Sequence, residues 1–198
     1  MIPLLPALIL LALADAPEWT FDEPDAEAEL KNWIDLNDLK PLRIETVRDE
    51  RGIERRVLVT ESVGDDPYMF PGGGWATADY EPFPGGKHPV LYLGVRVNRP
   101  DRWQIYWVSE EDPLWGEAQH QVFGVDAVGR FEDIAVEITA GGWRDKTILR
   151  FRLDPGTSPG IVAEIDYISF EKPIPPGGAF RVTPKGKLSL LWGELKGR

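Results

Sequence analysis

Alternation of apolar and polar residues is strongest in residues 148–170, which have the sequence ILRFRLDPGTSPGIVAEIDYISF. The first part places apolar side chains on one face of an extended chain and cations on the other: Leu149, Phe151 and Leu153 against Arg150 and Arg152. A period of two predicts a strand that is half-buried in a sheet. Proline and glycine then end this strand, and a second β-branched and aromatic run follows at residues 161–170. We therefore expect a hairpin, or two strands that cross between sheets.

The same pattern predicts further strands along the chain. Residues 89–97 alternate most regularly, and residues 102–108 are apolar on both faces, which is typical of a central strand. The other expected strands are residues 42–48, 55–62, 121–125 and 131–139. Only residues 26–39 combine good helix formers with apolar residues at helical spacing, so we expect one short helix near the N-terminus.

Composition supports an all-β chain of short strands. The 198 residues include 20 glycines and 18 prolines, which makes turns frequent. This length suits one domain, with or without tails. We predict a two-sheet antiparallel β-sandwich over residues 15–171, followed by a Pro/Gly-rich linker and a short C-terminal tail over residues 172–198.

The first fourteen residues, MIPLLPALILLALA, carry no charge and are almost wholly apolar. They are shorter than the roughly 20 residues that a membrane-spanning helix needs, and they end in an A-x-A-like cleavage site. We interpret residues 1–14 as a signal peptide and expect an exported protein: secreted, periplasmic or at the cell surface. No Lys or Arg precedes the apolar run, so the true start of the protein could lie further upstream. The alternative to a signal peptide is a buried N-terminal strand or helix.

Charge and cysteine content exclude several classes of function. A net charge of −11 argues against nucleic acid as a partner, because phosphate groups are neutralised by a basic surface. It also disfavours binding to an anionic membrane, and we expect no membrane insertion once the signal peptide is removed. The chain has no cysteine, so disulfides and thiolate metal sites are excluded.

The sequence offers little support for catalysis. The two histidines, His88 and His120, lie in neither a nucleophile motif nor a metal motif. The acidic loop of residues 109–119 could supply a carboxylate pair for glycoside hydrolysis, but with 33 Asp and Glu in the chain a solvated loop is the simpler interpretation.

Four stretches, in order along the chain, carry a resemblance to a known family: WTFD at 19–22, DDPY at 65–68, QIYW at 104–107, and RLDP at 152–155 with EIDYI at 164–168. They resemble galactose-binding-like β-sandwiches, the carbohydrate-binding-module-like jelly rolls of secreted bacterial proteins. The similarity spans residues 19–170. It implies a jelly-roll fold and non-catalytic carbohydrate binding.

Sugar binding needs an aromatic face and a few planar polar groups. The candidates that share these properties are Trp107, Trp115, Tyr68, Asp66, Arg96, Arg152 and Glu117. Arg96 and Arg152 would lie on one face if residues 89–97 and 149–153 belonged to the same sheet. The alternative for the arginines is pairing with carboxylates on the sheet surface, which contributes only about 0–1 kcal/mol when exposed.

The resemblance also implies a structural calcium ion where the first and last strands meet. Ca²⁺ takes six to eight oxygen ligands, and Asp22, Glu23 and Asp166 are the candidate ligands. Asp166 lies within an apolar strand, where an uncompensated charge is costly. A salt bridge or hydrogen bonds from backbone amides are the alternative to a cation.

Three functions follow, in order of preference. The first is a secreted, non-catalytic carbohydrate-binding module. The second is a structural or adhesion module of the cell envelope, in which the aromatic residues of the loop at 64–86 are buried in a protein interface. The third is a small glycan-active enzyme that uses the acidic loop.

Overall fold

The computed structural model describes residues 15–22, 24–72 and 78–173. The predicted signal peptide and most of the predicted C-terminal tail lie outside these ranges. No helix in the described part of the chain has the length and apolar character needed to cross a membrane.

The described residues form one α-helix, α1 (Ala26–Asn32), one 3₁₀ turn (Trp143–Asp145) and twelve strands. The strands are β1 (Glu18–Trp19), β2 (Trp33–Asn37), β3 (Arg43–Arg48), β4 (Glu54–Glu61), β5 (Tyr68–Pro71), β6 (Phe83–Pro84), β7 (Val90–Val97), β8 (Asp101–Ser109), β9 (His120–Val125), β10 (Glu132–Glu137), β11 (Thr147–Asp154) and β12 (Val162–Ser169).

Two antiparallel sheets pack face to face. The first sheet has the order β10-β7-β12-β4-β3, with β1 added beside β12. The second has the order β2-β5-β11-β8-β9, with β6 added beside β11. The predicted all-β, two-sheet jelly-roll class with one short helix is thereby confirmed. Because β11 and β12 lie in different sheets, the chain crosses between sheets at residues 155–161, as the second of the two alternatives expected.

The core lies between the sheets and consists of the apolar positions of each alternating strand. Leu93 and Ile165 from the first sheet and Ile105, Phe151 and Leu153 from the second are fully buried members of one cluster. Burial of each such side chain contributes about 1.5–3 kcal/mol relative to exposure. The alternation read from the sequence therefore sets which face of a strand points inward, except at the start of β11, where a bulge between Ile148 and Arg150 places Ile148 and not Leu149 in the core.

A group of indole and phenyl rings fills one part of this core. Trp143 meets Trp107 edge to face at 5.0 Å between ring centroids and stacks on Phe170 at 5.5 Å. The Trp143 indole donates a hydrogen bond of 2.9 Å to the carbonyl of His88, so its polar atom is satisfied inside the core. The 3₁₀ turn that carries Trp143 is held in place by this packing.

The helix ends earlier than the sequence pattern indicates. Residues 33–37, predicted as helical, form strand β2 instead. Trp33 is buried and meets Trp19 edge to face at 5.2 Å and Phe151 at 6.2 Å. Burial of this indole in the core outweighs the modest helix propensity of the segment, which amounts to tenths of a kcal/mol per residue.

Gly94 in β7 allows a bulge in the neighbouring strand β12. The pairing shifts between Ile165 and Tyr167, and the Tyr167 ring lies directly over Gly94 on the outer face of the first sheet. A Cβ atom at residue 94 would approach the ring carbons of Tyr167 to 2.5 and 2.6 Å. Only glycine leaves room for this ring position.

We predict that Gly94→Ala lowers the free energy of unfolding by about 1–3 kcal/mol, because the buried Tyr167 ring must shift. The matched control is Gly124→Ala in β9, where a Cβ atom meets nothing within 4 Å and the change is expected to stay within about 0.5 kcal/mol. Urea unfolding of the two variants measures the difference. Equal stabilities would contradict the proposed role of Gly94.

Candidate functional site

The outer surface of the second sheet collects polar and aromatic side chains from four adjacent strands. Strand alternation places them there, since the intervening residues of each strand point into the core. The side chains are Tyr68 and Phe70 from β5, Arg150, Arg152 and Asp154 from β11, Gln104 and Tyr106 from β8, and His120 from β9.

Four of these side chains form one continuous stack across the strands. The Arg152 guanidinium carbon lies 4.3 Å from the ring centroid of Tyr68 and 4.2 Å from that of Tyr106. On the far side of Tyr106, the His120 imidazole stacks at 4.9 Å with an interplanar angle of 17°. We refer to Tyr68, Arg152, Tyr106 and His120 as the stack. Cation–π contacts of this kind each contribute about 0.5–2 kcal/mol.

Asp154 fixes the guanidinium within the stack. Arg152 Nε and Nη2 donate to the two carboxylate oxygens of Asp154 at 2.9 and 2.8 Å, a bidentate pair. Asp66 adds a second carboxylate 3.6 Å from Nη2. Asp154 is only 3 % exposed, and burial raises its pKa to about 6 despite the pairing with Arg152.

Glu117, in the loop between β8 and β9, is connected to the stack by hydrogen bonds. The Tyr106 hydroxyl donates to the Glu117 carboxylate at 3.3 Å, and His120 Nδ1 donates to the Glu117 carbonyl at 2.5 Å. Burial first, and the charge of Glu117 second, raise the pKa of Tyr106 to about 12. The side chain of Glu117 is itself 82 % exposed, so its carboxylate also faces solvent.

Trp115 extends the aromatic surface beside the stack. Its ring stacks on Phe70 at 6.3 Å, Phe70 stacks on Tyr68 at the same distance, and the Arg150 guanidinium carbon lies 5.8 Å from the indole. The loop that carries Trp115 is anchored by an ion pair between Asp112 and Lys146. This acidic loop thus packs against the second sheet.

The predicted ligand-binding residues divide into two groups. Tyr68, Asp66, Arg152, Trp115 and Glu117 meet on the outer surface of the second sheet. Their role in binding stays a prediction. Trp107 and Arg96 lie elsewhere.

Trp107 was predicted to stack on a sugar, and its position in the structure contradicts that prediction. Its side chain is 0 % exposed and packs edge to face on Trp143 inside the core. It shares the inward face of β8 with Trp103 and Ile105. A ring with no exposed surface cannot stack on a ligand.

Arg96 was a candidate binding residue that would join Arg152 on one face if their strands shared a sheet, and the strands do not. β7 and β11 belong to different sheets, so Arg96 lies on the outer face of the first sheet. There it forms an ion pair with Glu164, donates 2.9 Å to the carbonyl of Arg48, and lies over the Phe131 ring at 4.6 Å. Arg96 therefore follows the alternative stated above, in which the arginine pairs with a carboxylate on the sheet surface.

The proposed calcium ligands do not form a fitting donor set within the described residues. Asp166 is paired with Arg55, and burial raises the Asp166 pKa to about 6 against the opposing effect of that cation. In the described part of the chain, Asp22 and Asp166 belong to no group of three or more His, Asp or Glu side chains that could hold a metal ion. Glu23 lies outside the described residues. Calcium binding stays a prediction.

Asp154 and His120 belong to this surface but were not among the candidate binding residues selected from the sequence. A signal was present for Asp154, since it continues the outward alternation of Arg150 and Arg152. No local pattern signals His120, because its stacking partner Tyr106 lies fourteen residues earlier, on the adjacent strand.

No family model matches the chain, and no curated protein matches its sequence. Among solved structures, an exo-β-agarase matches with a TM-score of 0.51 and 11 % identity, over 73 % of this chain and 24 % of that chain. The chain thus spans about a quarter of the length of the agarase. At this identity the likeness concerns the fold alone, and at that level it confirms the predicted β-sandwich.

Two carbohydrate-binding modules match with lower scores. The family 11 module CtCBM11 matches with a TM-score of 0.41 and 13 % identity, over 84 % of this chain and 100 % of that chain. A family 6 module from Clostridium stercorarium, solved with cellobiose, matches with a TM-score of 0.38 and 11 % identity, over 71 % of this chain and 93 % of that chain.

We predict that Asp154→Asn changes the pH dependence of stability. Because the folded-state pKa of about 6 lies above the ordinary value of about 3.9, the folded protein binds this proton more tightly than the unfolded chain does. The stability that this group contributes is therefore greatest below about pH 4 and is lost as pH rises through about 6.

The free energy of unfolding of Asp154→Asn, relative to the unsubstituted protein, should accordingly rise by about 1–3 kcal/mol between about pH 4 and 7. Chemical denaturation of both proteins at several pH values measures this change. Parallel stability curves for the two proteins would show that burial does not raise the Asp154 pKa.

Proposed function

We propose that this protein binds carbohydrate, without cleaving it, through the outer surface of its second sheet. The observation that carries the proposal is the stack. It places a guanidinium, a phenol, an imidazole and nearby carboxylates in fixed positions on the outer face of the sheet.

The binding chemistry differs from simple ring stacking. Both faces of the Tyr106 ring are occupied, by Arg152 on one side and His120 on the other. Tyr106 therefore has its hydroxyl and ring edge to offer, while half-buried Tyr68 and Trp115 retain some exposed surface. Sugar hydroxyls both donate and accept hydrogen bonds, so a row of such polar edges suits them.

The stack is also held in place before any ligand arrives. Arg152 has a bidentate carboxylate partner and an aromatic ring on each side. A side chain fixed in this way loses little conformational freedom on binding, where an unrestrained one loses about 0.5–1.5 kcal/mol. The smaller loss of conformational entropy increases the affinity for a hydrophilic ligand.

Charge balance favours an uncharged glycan. The positive charge of Arg152 is compensated by Asp154 and Asp66, and Glu117 adds a further exposed carboxylate. The chain as a whole carries −11, which repels polyanions over several ångströms. Neutral polysaccharides meet no such barrier.

The fold and the N-terminal sequence support the same proposal. A similar sandwich forms part of a protein named as an exo-β-agarase, a likeness that extends to fold alone. We include export in the proposal, because an apolar N-terminal segment with a small-residue cleavage motif precedes the sandwich.

The test is calorimetric titration with a panel of soluble neutral polysaccharides, comparing the unsubstituted protein with Arg152→Lys. Lysine keeps the charge but loses the planar bidentate pair and the stacking, so we expect at least a tenfold loss of affinity. Arg96→Lys is the matched control, since Arg96 lies over a ring and pairs with a carboxylate on the opposite sheet. Its affinity should be unchanged.

Two outcomes would contradict the proposal. Equal losses in Arg152→Lys and Arg96→Lys would place binding elsewhere, and no binding across the panel would argue against a glycan ligand. Reducing-end assays on the same polysaccharides address catalysis: product release that Glu117→Gln abolishes would favour an enzyme.

A further inference from the structure

The outer face of the first sheet, on the opposite side of the sandwich, contains a half-open groove with a volume of about 390 Å³. Tyr167 and Tyr92 contribute to its base, and Ile134 and Ala135 of β10 form one wall. The turn between β3 and β4 forms another wall, through Ile53. None of these residues belongs to the proposed carbohydrate surface.

The wall made by the β3–β4 turn is well defined. The buried carboxylate of Asp49 accepts hydrogen bonds of 2.9 Å from the backbone amides of both Arg51 and Ile53. Burial tends to raise the Asp49 pKa, but these amides and the guanidinium groups of Arg51 and Arg55 outweigh it and hold the pKa well below its usual range. The turn is thereby held in one conformation, with Ile53 51 % exposed at the groove.

The groove combines apolar surface with four carboxylates and three cations: Asp22, Glu54, Asp133 and Asp166 beside Arg51, Arg55 and Lys172. Arg51 and Arg55 both pair with the buried Asp49, and Arg55 also pairs with Asp166. With Asp49 counted, carboxylates outnumber cations by five to three, and Asp22 and Asp133 are exposed. A segment that carries both apolar and basic side chains complements this surface.

This chain contains such a segment immediately beyond the described body. Residues 174–198 have the sequence IPPGGAFRVTPKGKLSLLWGELKGR, with five basic residues and one acidic residue. Their net charge is +4, so residues 1–173 carry −15 of the chain's total of −11. Lys172 and Pro173, which lead into this segment, themselves line the groove.

We propose that residues 174–198 dock in this groove of their own chain. The apolar run LSLLW at residues 188–192 matches the surface of Ile53, Ile134 and Tyr92, and the lysines around it match the carboxylates. Because the segment starts at the groove, its effective concentration there is in the millimolar range. Individually weak contacts are therefore sufficient. Docking on the first sheet leaves the proposed carbohydrate surface uncovered.

The test is zero-length carbodiimide cross-linking of the full-length protein, followed by peptide mass spectrometry. This reagent joins a lysine to a carboxylate that contacts it. We expect Lys185, Lys187 or Lys196 to link to Asp22 or Asp133 at least fivefold more often than to Asp66 or Glu117 on the second sheet. About 1 M salt, at which the Debye length is near 3 Å, should weaken the links.

A mixture of ¹⁴N- and ¹⁵N-labelled protein separates links within one chain from links between copies. Links found only between copies, or links spread evenly over both sheets, would overturn the proposal. The double variant Lys185→Glu/Lys187→Glu gives a second measurement without cross-linking. We expect hydrogen exchange at residues 51–54 to quicken at least threefold in this variant, and unchanged exchange would count against docking.

Discussion

The alternation of side chains along strand β11 is the constraint on which the rest of the structure depends. β11 lies at the centre of the second sheet and pairs with β8, β5 and β6. Its inward residues, Phe151 and Leu153, are fully buried in the core. Its outward residues, Arg152 and Asp154, hold the stack together. A one-residue slip in register would exchange the two faces, so core packing and site geometry are fixed by the same pairing.

A largely buried ion pair at the centre of a sheet surface is a weak source of net stability, because desolvation offsets most of the attraction. What Arg152 and Asp154 do is orient one another. The bidentate geometry sets the plane of the guanidinium, and the plane of the guanidinium sets the position of the two tyrosine rings against it. Tyr106 in turn positions His120 and, through its hydroxyl, Glu117. One paired charge thus organises a surface drawn from four strands and a loop.

The two outer faces of the sandwich differ in chemistry, and the difference has a structural origin. On the second sheet, aromatic rings and a guanidinium stack on one another, so polar edges face solvent. On the first sheet, Gly94 leaves room for the Tyr167 ring, and Tyr167 lines a groove together with residues of β10 and the β3–β4 turn. Four carboxylates and three cations line that groove, and two of the cations pair with the buried Asp49. The same fold therefore offers a polar and aromatic sheet surface on one side and a partly enclosed groove with charged and apolar lining on the other.

Local alternation determined the strands: the eight longest runs read from the sequence correspond to β3, β4 and β7–β12, and the all-β class follows from them. The chemistry of sugar binding, which needs aromatic rings and planar polar groups, placed Tyr68, Trp115 and Arg152 among the candidate residues. Tertiary structure alone decided which of two apolar faces of β8 is buried, which removed Trp107 from the site. It likewise separated Arg96 from Arg152, because the partner of a strand is set by contacts between residues far apart in sequence. A period of two defines the faces of a strand but carries no information on its neighbours.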